Sequence, residues 1–188
     1  MLNHKGTIIL ETNRLILRQF EMNDAQATFD NWCSKDNVSK YMRWKTHQSI
    51  EETKSMIGKW IEGYKDERSY HWIIVNRQTQ APIGTIGLFI VNEFDMCGVF
   101  GYCLDDVEWG KGYTTEALNA VLEFAFEQVG FNRIEAEHSV NNPASGKVMQ
   151  KVGMTFEGVA KQKYKCNLGF QDCNLYGITA NEYNNKKG

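Results

Sequence analysis

Apolar side chains recur along this chain with two periods, every second residue in some stretches and every third or fourth in others. Residues 14–20, Arg14-Leu15-Ile16-Leu17-Arg18-Gln19-Phe20, alternate as a half-buried strand does, and Asn23-Asp24 then caps a helix running to about Cys33. Residues 38–47 predict a loop rich in large side chains. The spacing Ser49-x-x-Glu52 is a capping box, opening a helix with apolar positions at Ile50, Met56, Ile57, Trp60 and Ile61 that ends near residues 63–66. Residues 70–76 and 83–91 form a hairpin about the polar turn Arg77-Gln78-Thr79-Gln80, and a second turn over 92–95 enters a strand over 97–104. Beyond a central helix come a strand over 133–140, a helix over 144–152, and a final pair of strands over 154–164 and 172–179. The order is therefore strand, two helices, three antiparallel strands, helix, strand, helix, two strands, with no internal repeat or linker.

The stretch between the third hairpin strand and the central helix organises this pattern. Glu108-Trp109-Gly110-Lys111-Gly112-Tyr113-Thr114-Thr115-Glu116-Ala117 follows the apolar run Val99-Phe100-Gly101-Tyr102-Cys103-Leu104. It precedes a helix with Leu118, Val121, Leu122, Ala125, Phe126 and Val129 on one face. Two glycines let the backbone turn tightly and leave its N–H groups unshielded. The free amides of the first helical turn and the positive end of the helix dipole then suit a phosphate. A P-loop is excluded because Gly112 precedes Tyr113 rather than Lys-Ser or Lys-Thr, and a dinucleotide fingerprint because Thr115 stands where its third glycine belongs. An ordinary glycine turn remains an alternative.

Composition narrows the class. A chain of 188 residues suits one domain, 1–188, with a sizeable core. Hydrophobic residues at 42% and charged residues at 23% are those of an ordinary globular protein. Disorder is expected only at residues 1–5 and 184–188. A net charge of −2 argues against bulk nucleic-acid binding, and no apolar run reaches membrane-span length or forms a signal-peptide core, so a cytoplasmic protein is expected. The cysteines, Cys33, Cys97, Cys103, Cys166 and Cys173, contain no Cys-x-x-Cys pair; reduced structural thiols and no metal site are expected.

Four segments together resemble the GCN5-related N-acetyltransferase (GNAT) superfamily, and within it the ribosomal-protein N-terminal acetyltransferase branch. They are Thr12-Asn13-Arg14-Leu15-Ile16-Leu17-Arg18; Gly101 to Leu104 leading into Trp109 to Ala117; Asn142-Pro143-Ala144-Ser145 followed by Lys151-Val152-Gly153-Met154; and Glu157-Gly158 with Asp172 and Tyr176 beyond. The resemblance implies an α+β (α/β) fold, a mixed, mostly antiparallel central sheet of about seven strands, splayed in the middle and flanked by helices on both faces. It also implies an N-acetyltransferase that uses acetyl-CoA, without a metal, to acetylate a primary amine, either a protein N-terminus or a small molecule, by direct transfer in a ternary complex. A homodimer is compatible with that branch, and no nucleic acid or membrane partner is implied.

By the same resemblance, Gly110, Lys111, Gly112, Tyr113 and Thr114 bind the pyrophosphate, and Tyr102, Cys103 and Leu104 pair with pantetheine and supply the oxyanion donor. Asn142 bonds the coenzyme or caps the next helix. Lys147 and Lys151 reach the 3′-phosphate or are a solvated helix face. Ser145 protonates the departing thiolate or bonds a local backbone group. Tyr41, Met42, Trp44 and His47 line an acceptor pocket or pack as a satellite core. Two departures stand out: Val107 replaces the usual Arg or Gln before the first glycine, and Tyr164 stands where the branch carries a carboxylate. Glu93 and Asp95, in the turn before the splayed strand, are then the candidate bases, with Tyr164 the weaker one and water the remaining route. A non-catalytic acyl-CoA sensor or interaction module is the competing functional class.

Overall fold

The computed structural model describes residues 1–187. Its frame is one eight-stranded sheet in the order β1-β2-β3-β4-β5-β6-β8-β7. The strands are β1 Leu10–Glu11, β2 Leu15–Arg18, β3 Tyr70–Asn76, β4 Pro82–Asn92, β5 Cys97–Leu104, β6 Arg133–Ser139, β7 Thr155–Cys166 and β8 Gly169–Thr179. The helices are α1 Ala25–Thr28, α2 Asp36–Ser39, α3 Ile50–Gly63, α4 Tyr113–Glu123, α5 Pro143–Lys151 and α6 Ala180–Lys187. One strand more than the expected seven arises from β1, whose two residues pair antiparallel with Leu17 and Ile16.

Helices cover both faces of the sheet, and β3 shows why. Trp72 and Ile74 pack into a core with Leu118, Val121 and Leu122 of α4, whereas Ile73 and Val75 pack on the other side with Phe20, Trp32 and Ile57. Because successive strand residues face opposite ways, a run apolar at every position must be sandwiched. Each such side chain, fully buried, contributes on the order of 1.5–3 kcal/mol of transfer free energy.

All neighbouring strands are antiparallel except β5 and β6, which pair in parallel only between Cys97–Val99 and Arg133–Glu135. Past Val99 the two strands share no further pairing, so the remaining edge of β5 faces a gap in the middle of the sheet. This gap is the feature on which the site is built.

The first helical region begins one turn earlier than Asn23-Asp24 predicts. Glu21 is the N-cap, and Asp24 accepts its N–H in a reciprocal capping box while taking a bidentate ion pair from Arg18, both contacts at 2.8 Å. A 3-10 turn at Met22–Asp24, α1, and a π turn at Phe29–Cys33 then run continuously, burying Trp32 and Cys33. The predicted loop over residues 38–47 begins inside the short α2.

The chain ends are more ordered than the composition suggests. Leu2 is buried and the Asn3 N–H bonds the Val129 carbonyl at 2.8 Å, so residues 1–5 are not a free tail. Residues 184–187 belong to α6, and Gly188, the last residue of the expected disordered end, lies outside the described residues. Among the described residues no helix is long and apolar enough to cross a membrane.

Candidate active site

The glycine turn is held in place by the start of β2. Glu116, in the first turn of α4, accepts hydrogen bonds from Thr12 Oγ1 at 2.6 Å, from the Arg14 N–H at 2.9 Å and from Arg14 Nε at 2.6 Å. The same guanidinium donates through Nη1 to the Lys111 carbonyl at 3.0 Å and lies 4.5 Å from the Tyr113 ring centroid. Burial alone would raise the Glu116 carboxyl; the three donors and the Arg14 charge outweigh it and hold the carboxyl below its usual range. A carboxylate here also complements the positive end of α4. The paired segments Thr12-x-Arg14 and Glu116 thus act together to fix the loop.

Gly110 and Gly112 adopt φ of +77° and +82°, left-handed values at which a side chain is strained. Gly112 is the N-cap of α4 and offers no side chain to the first-turn amides. Those amides belong to Tyr113, Thr114 and Thr115, residues that line a cavity of about 490 Å³. A β-carbon built on Gly110, which also lines it, would meet no protein atom within 4 Å. An uncapped helix N-terminus opening on empty space fits a phosphate-bearing ligand, as the loop predicted.

From the glycine turn the cavity runs along Tyr102, Cys103 and Leu104 of β5 into the gap beside β6, with α5 as its opposite wall. Asn142, Ser145, Lys147 and Lys151 all line that wall. Asn142 occupies the N-cap position of α5, yet its side chain makes no capping bond. Gly146 seats the helix: a β-carbon there would stand 2.5 Å from His138 Nε2, so only glycine allows α5 this close to β6. Ser145 Oγ lies 2.8 Å from the Tyr102 hydroxyl across the gap.

The segment joining α2 to α3 closes the cavity on the side of β8. Tyr41 and Met42 line it, and the Tyr41 hydroxyl donates to the Asn141 carbonyl at 2.7 Å. The β7–β8 hairpin pins this segment. Asn167 Nδ2 donates to the Ser39 and Trp44 carbonyls at 2.9 and 2.8 Å, and the Tyr164 hydroxyl donates to the Tyr41 carbonyl at 2.8 Å. Lys35, the N-cap of α2, ties the start of that helix down, with Nζ 2.7 Å from both Asp105 and Asp106 at the exit of β5.

Six of the predicted site residues fall outside this arrangement. Glu93 sits at the opposite end of β5, where it bonds His4 Nε2 at 2.9 Å and Arg68 at 3.2 Å. The hydrogen bond from His4, with help from Arg68, holds its carboxyl below the usual range, the reverse of what a base requires. Tyr164 stacks beneath Arg43, 4.2 Å from ring centroid to guanidinium carbon, and burial pushes its hydroxyl up to about 12. Trp44 and His47 line a separate surface depression with Met56 and Trp60, and His47 Nδ1 bonds Thr53 Oγ1 at 2.7 Å. Lys111 pairs with Glu108 at 3.0 Å rather than facing the cavity. Asp95 bonds Asn92 within its own turn.

Conversely, Asn37, Val38 and Lys40 line the cavity without having been singled out, because a four-residue helix carries no periodicity to reveal it. Among the described lining residues the one carboxylate is Glu108, tied to Lys111. The Tyr102 hydroxyl was also missed, since the strand pattern speaks only for its backbone.

Comparison with known proteins agrees with this geometry. The family model described as the acetyltransferase (GNAT) domain matches residues 14–155. The chain is 35% identical over 170 residues to the uncharacterized N-acetyltransferase YoaA of Bacillus subtilis (strain 168), covering 90% of this chain and 96% of that one. It is 22% identical over 174 residues to the spermidine N(1)-acetyltransferase of Vibrio cholerae, covering 93% and 98%. The solved structure of RimL, a ribosomal L7/L12 alpha-N-protein acetyltransferase in complex with coenzyme A, shares the fold with a TM-score of 0.82 at 20% identity, covering 92% of this chain and 98% of that one.

Proposed function

The chain belongs to the GNAT acetyltransferase family and is an N-acetyltransferase, and from that premise we propose that it is a single-domain, cytoplasmic enzyme that moves an acetyl group from acetyl-CoA to a primary amine, a protein N-terminus or a small molecule, by direct transfer in a ternary complex. One observation carries the reading: a single cavity joins the uncapped N-terminus of α4 to the gap between β5 and β6, with Ser145 on its wall.

Acetyl-CoA supplies the acetyl thioester. The amides of Tyr113, Thr114 and Thr115 bind its pyrophosphate, and the left-handed Gly110 and Gly112 leave the approach open. Amides dominate that contact, so Val107, two-thirds exposed, suffices where the resemblance implied an Arg or Gln. Lys147 and Lys151 serve the 3′-phosphate, and Asn142, free of capping duty, bonds the coenzyme. The unpaired edge of β5 over Tyr102, Cys103 and Leu104 pairs with pantetheine and directs an amide at the carbonyl oxygen. Ser145 Oγ donates to the departing sulfur. Cys103 does not act as a nucleophile, because burial pushes its thiol up and disfavours the thiolate.

Tyr41 and Met42 line the acceptor side. With Glu93 and Tyr164 outside the cavity, the acceptor's proton leaves through water, and orientation supplies much of the rate, roughly 7 kcal/mol or more in well-aligned systems. The amine must arrive neutral, so the acidic limb of kcat/KM follows the acceptor's own pKa. It lies near 8 for a peptide N-terminus and near 10 for an alkyl amine.

Thiol release from acetyl-CoA with a panel of peptides and small amines tests this. Turnover with at least one acceptor, and an acidic limb that moves with the acceptor, is the expected result. Coenzyme binding without turnover on any amine would leave the sensor class instead. An acidic limb fixed near pH 4 to 7 whatever the acceptor would mean that a protein base acts after all.

A further inference from the structure

We propose that Tyr102 is a positioning residue for Ser145, its hydroxyl donating to Ser145 Oγ so that the serine's own hydrogen is turned into the cavity toward the leaving sulfur. The inference rests on the acetyl-transfer reading above.

Hydrogen-bond arithmetic supports this direction. The Tyr102 hydroxyl has one hydrogen and two acceptors within reach, Ser145 Oγ at 2.8 Å and the Ser145 carbonyl at 3.1 Å. The carbonyl, in the first turn of α5, is the farther acceptor, and the i→i−4 ladder is positioned to serve one of its two lone pairs. The hydroxyl oxygen, nearer and otherwise without a donor, takes the tyrosine's hydrogen. Among the described residues Ser145 Oγ has no other partner, so its own hydrogen has no protein acceptor and is free for the cavity that both residues line.

The two groups sit on rigid supports. Tyr102 is fixed by the β4–β5 ladder, opposite Ile86, and Ser145 by the close seating of α5 on His138 through Gly146. Burial pushes the phenol up to about 12, so Tyr102 keeps its hydrogen across the physiological range. A lone serine hydroxyl would rotate among its wells; one that accepts from a fixed phenol keeps a single orientation and is a more polarised donor.

The group transfer balances without any further reactant. The amine nitrogen bonds the carbonyl carbon, the C–S bond gives its electron pair to sulfur, and the amine's proton passes to water. The sulfur leaves as a thiolate held by the Ser145 hydrogen and takes its own proton from solvent. Tyr102 touches no reacting atom.

The test compares the parent, Tyr102→Phe, Ser145→Ala and the double variant, each checked for a parent-like unfolding midpoint. Calorimetric titrations with coenzyme A and desulfo-coenzyme A are run at about pH 7 and about pH 9, either side of an ordinary thiol pKa near 8.5. A donor aimed at sulfur favours the thiolate, so the parent's preference for coenzyme A over the desulfo compound grows with pH. Both single variants lose that growth, bind acetyl-CoA within about twofold of the parent, and turn over about tenfold more slowly, with the double variant no slower than the slower single one. If Tyr102→Phe or Ser145→Ala keeps the parent's pH-dependent preference, or if the two rate losses multiply, the inference is overturned. A parent that acetylates no amine overturns the acetyl-transfer reading instead, and the coenzyme titrations then still decide the Tyr102 pairing.

Discussion

Gly112→Val is expected to weaken acetyl-CoA binding about a hundredfold, equivalent to about 2.7 kcal/mol. The residue stands at φ +82° as the N-cap of α4, on the cavity wall. A β-branched residue tolerates that conformation poorly, at a cost of about 1–3 kcal/mol to the folded state, and will shift the first-turn amides or cover them. Strain alone cannot mimic the binding loss, because Gly130 provides a matched control. It too is left-handed, at φ +87°, with open space where a β-carbon would stand, and it lies outside the cavity lining. Gly130→Val should lose comparable stability and keep its affinity. Equal affinity in folded Gly112→Val and parent, measured by calorimetry, would remove the loop from the binding site.

Glu116→Ala should have the larger effect on stability. It removes a carboxylate, 19% exposed, that accepts from Thr12, the Arg14 backbone and the Arg14 guanidinium, and it leaves that guanidinium without its 2.6 Å partner. Charge-assisted hydrogen bonds of this kind, partly screened by solvent, together contribute about 2–3 kcal/mol. For a chain of this length that lowers Tm by about 5–10 °C. The effect has a pH signature. A carboxyl held below its unfolded pKa stabilises the fold above that value, about 4.5, and the contribution disappears as pH falls through the folded pKa. The gap between parent and variant should therefore be full at neutral pH and close below about pH 4.5. A gap independent of pH in chemical denaturation would mean that packing, not the carboxylate, is lost. Acetyl-CoA affinity should fall as well, because Arg14 no longer steadies the Lys111 carbonyl of the loop.

How much of this was legible depends on the length of the signal. The glycine loop could be read because two positive φ angles demand glycine and because α4 carries several turns of apolar periodicity. The sandwiching of β3 could be read from an unbroken apolar run. The two residues of β1 and the four of α2 are too short to show any period, so one strand and one wall of the cavity went unseen.

Glu93 failed for a different reason. Nine residues separate it from Tyr102, but an eight-residue strand is about 25 Å long, and a turn entering it emerges at the end away from the gap. The aromatic loop was divided by geometry that no composition conveys. Tyr41 and Met42 face the cavity, while Trp44 and His47 face the depression beside α3. Tyr164 proved a brace for the Tyr41 backbone rather than the replacement for a base. Asn142 and Ser145 line the cavity wall, yet the partner of Ser145 lies 43 residues away on β5, beyond the reach of any local pattern.

Initial rates of acetyl transfer measured while both acetyl-CoA and a productive amine are varied bear most directly on direct transfer within this one cavity. Double-reciprocal lines that intersect, together with no release of thiol in the absence of amine, are the result predicted by a site with no activated nucleophile among its lining residues. Parallel lines accompanied by a stoichiometric burst of thiol and an acetylated enzyme would contradict it.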